Sequence, residues 1–367
     1  MSCGDGATVR NLTEGTTKCP GKSGFMNDDV TYTVRFYLDF VVQMSIVIFG
    51  ISSNIVNIVI FVKTGLEDSV TISFLALAIS DLGFSVFFLL MRIFGILSNV
   101  YKLGPTVSMG TISYLLFWYM NLFFDISVLV TTFTAVEKCC CVAIPLLFKN
   151  VFTRFRTVIT LVVIYLAVLV TYIPTFSSHG LKLKFDPVRN HSRYVYANRS
   201  YTMLVFDIYT VFNRMVIPFV SQVAVLFCMV VLTIKLQVAT KKRREMTSEQ
   251  SCEVNESNDR KNKEKVLGKG KNRLSRKEWR VVQAVNLVAG IFVASNLPEI
   301  VISFCALYYP EFSDFGRYKN LYRVVTSLQD LITVTSAAVN IFVYLGYNSK
   351  YRQEFLRSIG PTEIDKT

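Results

Sequence analysis

The stretch "TVITLVVIYLAVLVTYIPTF", residues 157–176, contains no charged side chain. In a helix, about 20 mostly apolar residues cross a hydrocarbon layer about 30 Å thick. A helix without a polar stripe does not suit the surface of a water-soluble domain, so lipid is the environment this stretch fits. Six more segments share its length and apolar character: roughly 36–62, 70–96, 109–141, 203–235, 280–308 and 320–346. The whole chain agrees, with 52% hydrophobic and 18% charged residues over 367 positions and a mean hydropathy of +0.42. A large soluble helical protein would need polar faces on most of these helices. The fold class read from the sequence is an all-α membrane protein, a seven-transmembrane helix bundle. No inverted or direct repeat of the kind that marks transporters is visible.

Lysine and arginine set the orientation. With the N-terminus outside, about 24 of the 39 basic residues fall in the inner loops and tail, mostly between Lys235 and Arg280. The net charge of +13 is then read as contact with anionic membrane lipids, and no nucleic-acid partner is expected. Asn11, Asn190 and Asn198 open glycosylation sequons, and all three fall on the outer side. Asn255 opens a fourth in the inner loop, where it is expected to stay unmodified. The first 35 residues are polar and lack a basic start followed by a short apolar core, so no cleaved leader is expected. The division is an extracellular segment 1–35, a bundle 36–346 with a long cytoplasmic loop 236–279, and a tail 347–367. The loop has the charged, apolar-poor composition of disordered chain, with basic ends that extend the fifth and sixth helices. In "NSKYRQEFLRSI", residues 348–359, Tyr351, Phe355, Leu356 and Ile359 share one face. That pattern predicts a short amphipathic eighth helix lying in the interface.

The run "AVEKCCCVAIPL", residues 135–146, places three cysteines beside an acid and a base. Consecutive helical residues are about 100° apart, so Cys139, Cys140 and Cys141 cannot converge on one metal. No C-x-x-C pair exists and only His179 and His191 are histidines, so no zinc site is expected. The triplet suits close helix packing, with acylation of whichever cysteine faces lipid as the alternative. Cys3 and Cys19 are candidates to pair in an oxidising exterior.

Together these residues resemble the rhodopsin-like (class A) G-protein-coupled receptors from about 36 to 359. "SSNIVNIVIF" is similar to the family's first-span asparagine motif through Asn54, and "LALAISDL" to its second-span aspartate motif through Asp81. Glu137, Lys138 and Cys139, followed by Pro145 and Leu146, resemble the acid-Arg-Tyr signature and its Pro-Leu. Pro218 and Pro298 match the prolines of the fifth and sixth helices. "NIFVY" resembles Asn-Pro-x-x-Tyr, with Asn340 and Tyr344 kept and Ile341 in place of proline. The wording "GLEDSVTISFLALAISDL" and the first-span Asn-x-x-Asn look most like invertebrate peptide-receptor-like and chemosensory receptors. The chain departs from the family at Lys138, at Asn296 in place of a sixth-helix tryptophan, and in a fourth span without tryptophan. Ser113 occupies the position of the third-helix cysteine, and 177–202 contains no cysteine, so the family's outer disulfide is missing.

An ionisable group in mid-bilayer costs roughly 2.5–3.5 kcal/mol on insertion scales, so each needs a partner or a wet cavity. The resemblance implies that Asp81, Ser127, Ser336 and Asn340 surround an allosteric sodium ion, the one cofactor expected. A hydrated carboxylate without the ion is the alternative. Toward the outer half, Arg92, Asp125, Arg214, Glu299 and Asp330 suggest a ligand cavity, joined by Met120 and Asn296. Mixed signs favour a peptide or a small polar ligand. The alternative is that the five charges pair with one another as structural ion pairs. Met120 stands where amine receptors carry aspartate, which argues against a monoamine, and Val334 stands where opsins carry the retinal lysine. Val128, Pro218 and Phe292 resemble the family's transmission triad. Glu278 resembles the inner lock acid, with Lys138 its natural partner and Glu137 the local alternative. Lysine lacks arginine's bidentate fork, so a looser lock with raised basal activity is expected. The functional reading is a plasma-membrane receptor that takes an extracellular ligand, activates a heterotrimeric G protein and is not an enzyme. A multi-pass transporter or channel is the alternative, supported by the intramembrane charges.

Overall fold

The computed structural model describes residues 26–100, 107–143, 152–186, 191–198, 202–253, 276–314 and 316–359. Among these residues seven helices are long and apolar enough to cross a membrane. They are α1 Asp28–Thr64, α2 Ser69–Val100, α3 Met109–Ala143, α4 Arg154–Ser178, α5 from Thr202 to Glu253, α6 Arg276–Tyr308 and α7 Lys319–Tyr347. The amphipathic α8, Ser349–Ile359, follows α7 after one residue. Its Tyr351 is fully buried while Leu356 and Ile359 are exposed, as a helix half-sunk in an interface requires.

Two boundaries bear on the sequence reading. The first helix begins at Asp28, inside the segment 1–35 that hydropathy places wholly outside the bundle. Asp28 and Asp29 stabilise a helix N-terminus, and Asn320 of α7 donates to Met26 O at 2.9 Å and to Asp28 Oδ1 at 2.6 Å. A polar helical turn is therefore anchored by hydrogen bonds that hydropathy does not register. Farther along the chain α5 continues through Glu253 and α6 starts at Arg276, so the ends of the 236–279 loop extend both helices. Cys3, Asn11, Cys19, Pro145, Leu146, Asn190 and Asn255 lie outside the described residues, as do the side chains of Asn198 and Glu278.

The segment after α4 holds a β-hairpin that hydropathy alone does not predict. Strands β1 His179–Asp186 and β2 His191–Asn198 pair antiparallel, with His179 opposite Asn198 and Asp186 opposite His191. The alternation in "HGLKLKFD" carries the period-2 signal of such a strand.

Small residues set how closely the helices approach. A Cβ at Gly83 would overlap the Phe123 ring, and one at Gly50 would press on Ala338 of α7. Without a hydrophobic drive between helices in lipid, such packing and interhelical hydrogen bonds hold the bundle. Ser53 donates to Ala338 O at 3.2 Å and Asn54 to Ala337 O at 3.0 Å. Tyr165 of α4 donates to Ala76 O at 2.9 Å, joining a helix without tryptophan to α2. Pro218 cannot donate to the carbonyl four residues back, and the π-helical turn Thr210–Val216 ends two residues before it. That wider turn carries Asn213 and Arg214.

Candidate functional site

The five outer charges do not form one group. Arg92 of α2 donates to Asp330 of α7 at 2.8 Å, to Asp39 at 3.4 Å and to Gln43 Oε1 at 2.9 Å, the last two on α1. Arg35 reaches the same Asp39 at 3.3 Å and Ser327 Oγ at 3.2 Å. Gln43 closes this set by donating to Ser327 O at 2.7 Å. The second group lies across α3, α4, α5 and α6. Arg214 donates to Glu299 at 3.0 Å, to the Tyr209 hydroxyl at 2.8 Å and to Asn121 Oδ1. Asp125 is not within ion-pair distance of Arg214; it accepts from Tyr172 at 2.7 Å and from Asn213 Nδ2 at 3.0 Å. Tyr172 and Tyr209 share a hydrogen bond at 3.2 Å, which joins the two carboxylates into one network.

The alternative of structural ion pairs therefore describes how Arg92, Arg214, Glu299 and Asp330 are held. The pairs are incompletely satisfied, however. Asp125 is 1% exposed, yet its Oδ1 has no partner, and neither has Arg92 Nε. A buried polar atom without a hydrogen bond costs about 1–3 kcal/mol, which is the kind of deficit an arriving donor or acceptor would repair. Met120 belongs to neither group. It is buried in an apolar cluster with Phe84, Phe88 and Phe124.

Below these groups lies a cavity of about 40 Å³ lined by Asp81, Phe124, Ser127, Val128, Phe292, Asn296, Ser336 and Asn340, among others. Ser127 donates to Asp81 Oδ1 at 2.6 Å and Asn340 Nδ2 to Oδ2 at 2.9 Å. Ser336 lines the cavity without a direct bond to the carboxylate. The oxygens of Asp81, Ser127 and Ser336 are the hard donors a sodium ion takes, and the space exceeds the ~10–15 Å³ one water needs. The set thus fits the ion by chemistry and by room. Asn296 donates back to Phe292 O at 3.0 Å, and Gln329 ties α7 to Ser295 O at 2.9 Å. The Arg214 guanidinium lies over the Phe124 ring, 5.5 Å from its centre, so the upper network and the cavity share a wall. Val128 and Phe292 occupy the same buried cluster, with Pro218 buried on α5.

At the inner end Glu137 is fully buried and accepts from Ser73 of α2 at 3.0 Å. Lys138 is buried too, and among the described residues no carboxylate lies within ion-pair distance of it. The local pair Glu137–Lys138 is therefore not formed, because Glu137 turns to α2 instead. Tyr344 packs against Phe61, Phe74 and Tyr351, and its hydroxyl has no partner. Tyr351 donates to Asn57 Oδ1 at 2.7 Å, and Asn57 donates to Asn54 at 3.3 Å, so α8 is tied to the polar core of α1 and α7. The site residues that sequence reasoning misses, Asn121, Tyr172, Tyr209 and Asn213, are neutral and so escape a search for charges within the spans. Asp39 does not escape it, as a charge in the first span.

No curated protein sequence matches the chain. The crystal structure of squid rhodopsin superposes with a TM-score of 0.57 at 16% identity, covering 91% of this chain and 86% of that one. Such a likeness carries the fold, a seven-helix bundle of rhodopsin type. Residues 44–265 match the profile of the family described as serpentine type 7TM GPCR chemoreceptor Srx. With that match spanning well over half of the sequence and a seven-helix bundle to accommodate it, the chain belongs to the Srx family of serpentine seven-transmembrane G-protein-coupled chemoreceptors.

Proposed function

We propose that this receptor lies in the plasma membrane with its N-terminus outside and reads a small polar chemical cue. The ligand enters among Arg214, Glu299, Asp125 and Asn121, with Arg92 and Asp330 as the second polar wall. One observation carries this reading: a guanidinium bonded to α3, α5 and α6 together, beside a buried carboxylate oxygen that has no partner. A ligand carrying a donor for Asp125 competes for Arg214's acceptors and pulls on three helices at once. Phe124 passes that shift to the cavity, where Val128, Phe292 and the Asp81–Asn340 bond respond. A sodium ion held by Asp81, Ser127 and Ser336 would favour the resting arrangement by bridging α2, α3 and α7. Freed α7 and α6 then open the inner end, around Lys138, Glu278 and Tyr344, to a heterotrimeric G protein. The glycosylation sequons at Asn11, Asn190 and Asn198 accord with this orientation.

The test is a panel of small water-soluble chemicals and short peptides, read as receptor-dependent G-protein activation. For an active compound, Arg214→Met and Glu299→Gln are expected to raise the half-maximal concentration by tenfold or more. A response unchanged in both variants at equal surface expression would overturn the site.

A further inference from the structure

The family's outer disulfide is absent here, yet the β-hairpin is fastened to α3. Ser113, which stands at the cysteine position, turns away and donates to Met91 O at 2.8 Å. Backbone groups supply part of the attachment, since Ser108 N donates to Tyr194 O at 3.0 Å and Tyr196 N to Thr111 Oγ1 at 3.1 Å. Side chains supply the rest. The His179 imidazole sits among Tyr114, Trp118 and Tyr196, with ring centres 5.4, 5.1 and 5.3 Å away. Tyr114 and Tyr196 are themselves 4.4 Å apart, and Trp118 is 1% exposed. Three elements thus meet at one ring: the end of α4, the outer half of α3 and strand β2.

We infer that His179, Tyr114, Trp118 and Tyr196 form a non-covalent, proton-sensitive clamp that holds the outer hairpin on α3 where related receptors use a disulfide.

The polarity of the hydrogen bonds makes the clamp sensitive. Tyr114 OH donates to Tyr196 OH at 3.4 Å, and Tyr196 OH meets His179 Nδ1 at 3.3 Å. That chain is consistent when Nδ1 is the bare acceptor of a neutral imidazole. A proton on Nδ1 turns it into a donor, and the Tyr196 hydroxyl must then give up donating to it and turn. The other nitrogen, Nε2, is buried without a partner, and Nδ1 meets only hydroxyl oxygens, those of Tyr196 and, at 3.4 Å, Ser178, so among the described residues a cationic ring has no counter-charge. Around the ring stand Tyr114 and Trp118 from α3, Tyr196 from β2 and Ser178, whose hydroxyl already donates to Thr175 O. Among the described residues no carboxylate pairs with His179. Tyr209 packs on Trp118 at 4.9 Å and leads from there to Arg214, so the clamp touches the ligand network. Burial lowers the His179 pKa from the ordinary histidine value, in the same direction. Because the folded pKa is depressed, the clamp is whole above the ordinary value of about 6.5 and is lost as pH falls through the lower folded value.

Two readouts test this on the full-length receptor in nanodiscs. Trp118 and Trp279 are the only tryptophans, so a Trp279→Phe background isolates Trp118. Release of the His179 ring from the indole changes the Trp118 emission. An emission step with a midpoint below about 6.5 is expected, and His179→Phe should abolish it. Hydrogen exchange, corrected for intrinsic rates, is followed over 179–198 at pH 7.5 and pH 5. Protection is expected to fall on the order of tenfold at pH 5 in the native chain. In His179→Phe it should stay high at both pH values, and in Tyr196→Ala low at both. If His179→Phe still loses protection in acid, or Tyr196→Ala keeps it, the clamp is overturned. A step that survives in His179→Phe overturns it equally.

Discussion

Arg214 and Asp81 show what one side chain contributes to a bundle without a hydrophobic drive between its helices. Arg214 satisfies Glu299, Tyr209 and Asn121 together, so removing it strands acceptors on three helices. Breaking a buried pair from one side costs about 3–5 kcal/mol, whereas removing both charges costs far less. Arg214→Met is therefore predicted to lower the melting temperature in detergent sharply, and Arg214→Met with Glu299→Gln to recover much of it. Equal loss in the single and double variants would mean the pair is not the unit. For Asp81, the melting temperature should be higher in sodium chloride than in N-methylglucamine chloride, since an ion that binds only the folded state stabilises it. Asp81→Asn should erase the difference; a native chain already indifferent to sodium would rule the ion out. Charges in apolar runs are legible in the sequence because lipid penalises them. Their neutral partners are not, because asparagine and tyrosine carry no charge and have many ways to be satisfied within their own helix. Nor can the sequence divide five charges into two groups, since that depends on which helices neighbour each other.

Among elements, α7 carries one departure from the family pattern, and α8 is tied to its core. Ile341 takes the place of the motif proline, and α7 runs as one helix from Lys319 to Tyr347. A proline in a helix interior costs about 3 kcal/mol or more, largely through a lost backbone bond and a clash with the carbonyl four residues back. Here that carbonyl, Ala337 O, already accepts from Asn54 at 3.0 Å. Ile341→Pro is accordingly expected to cost less than the usual amount, measured as a small drop in melting temperature with helicity preserved. Tyr351→Phe keeps the aromatic packing and deletes the bond to Asn57, which should cost about 1 kcal/mol. Its signature would be faster proteolysis of the tail with an unchanged core. The spans and α8 are readable because their periods are long and their contrast strong. The hairpin is not, because eight-residue strands among polar residues compete with many equal patterns, and the α3 surface that holds them is remote in sequence. The helical turn at Asp28 escapes for a related reason: its stabilisation comes from Asn320, nearly three hundred residues away.

For the whole molecule, orientation and coupling are the claims to test. Mapping glycans in a eukaryotic host should find them on Asn190 or Asn198 and never on Asn255; the reverse would invert the bundle. Lys138 is buried, its neighbour Glu137 accepts from Ser73 of α2, and a lysine lacks the two parallel bonds of an arginine, so a looser lock is expected. A receptor built this way should signal without ligand. The direct measurement is nucleotide exchange on purified heterotrimeric G proteins by the full chain in nanodiscs, with no ligand added. Exchange clearly above that of empty nanodiscs, with at least one G-protein class, is the predicted result. Exchange no faster than with empty nanodiscs for every class, together with ion or solute flux through the same chain in liposomes, would contradict it.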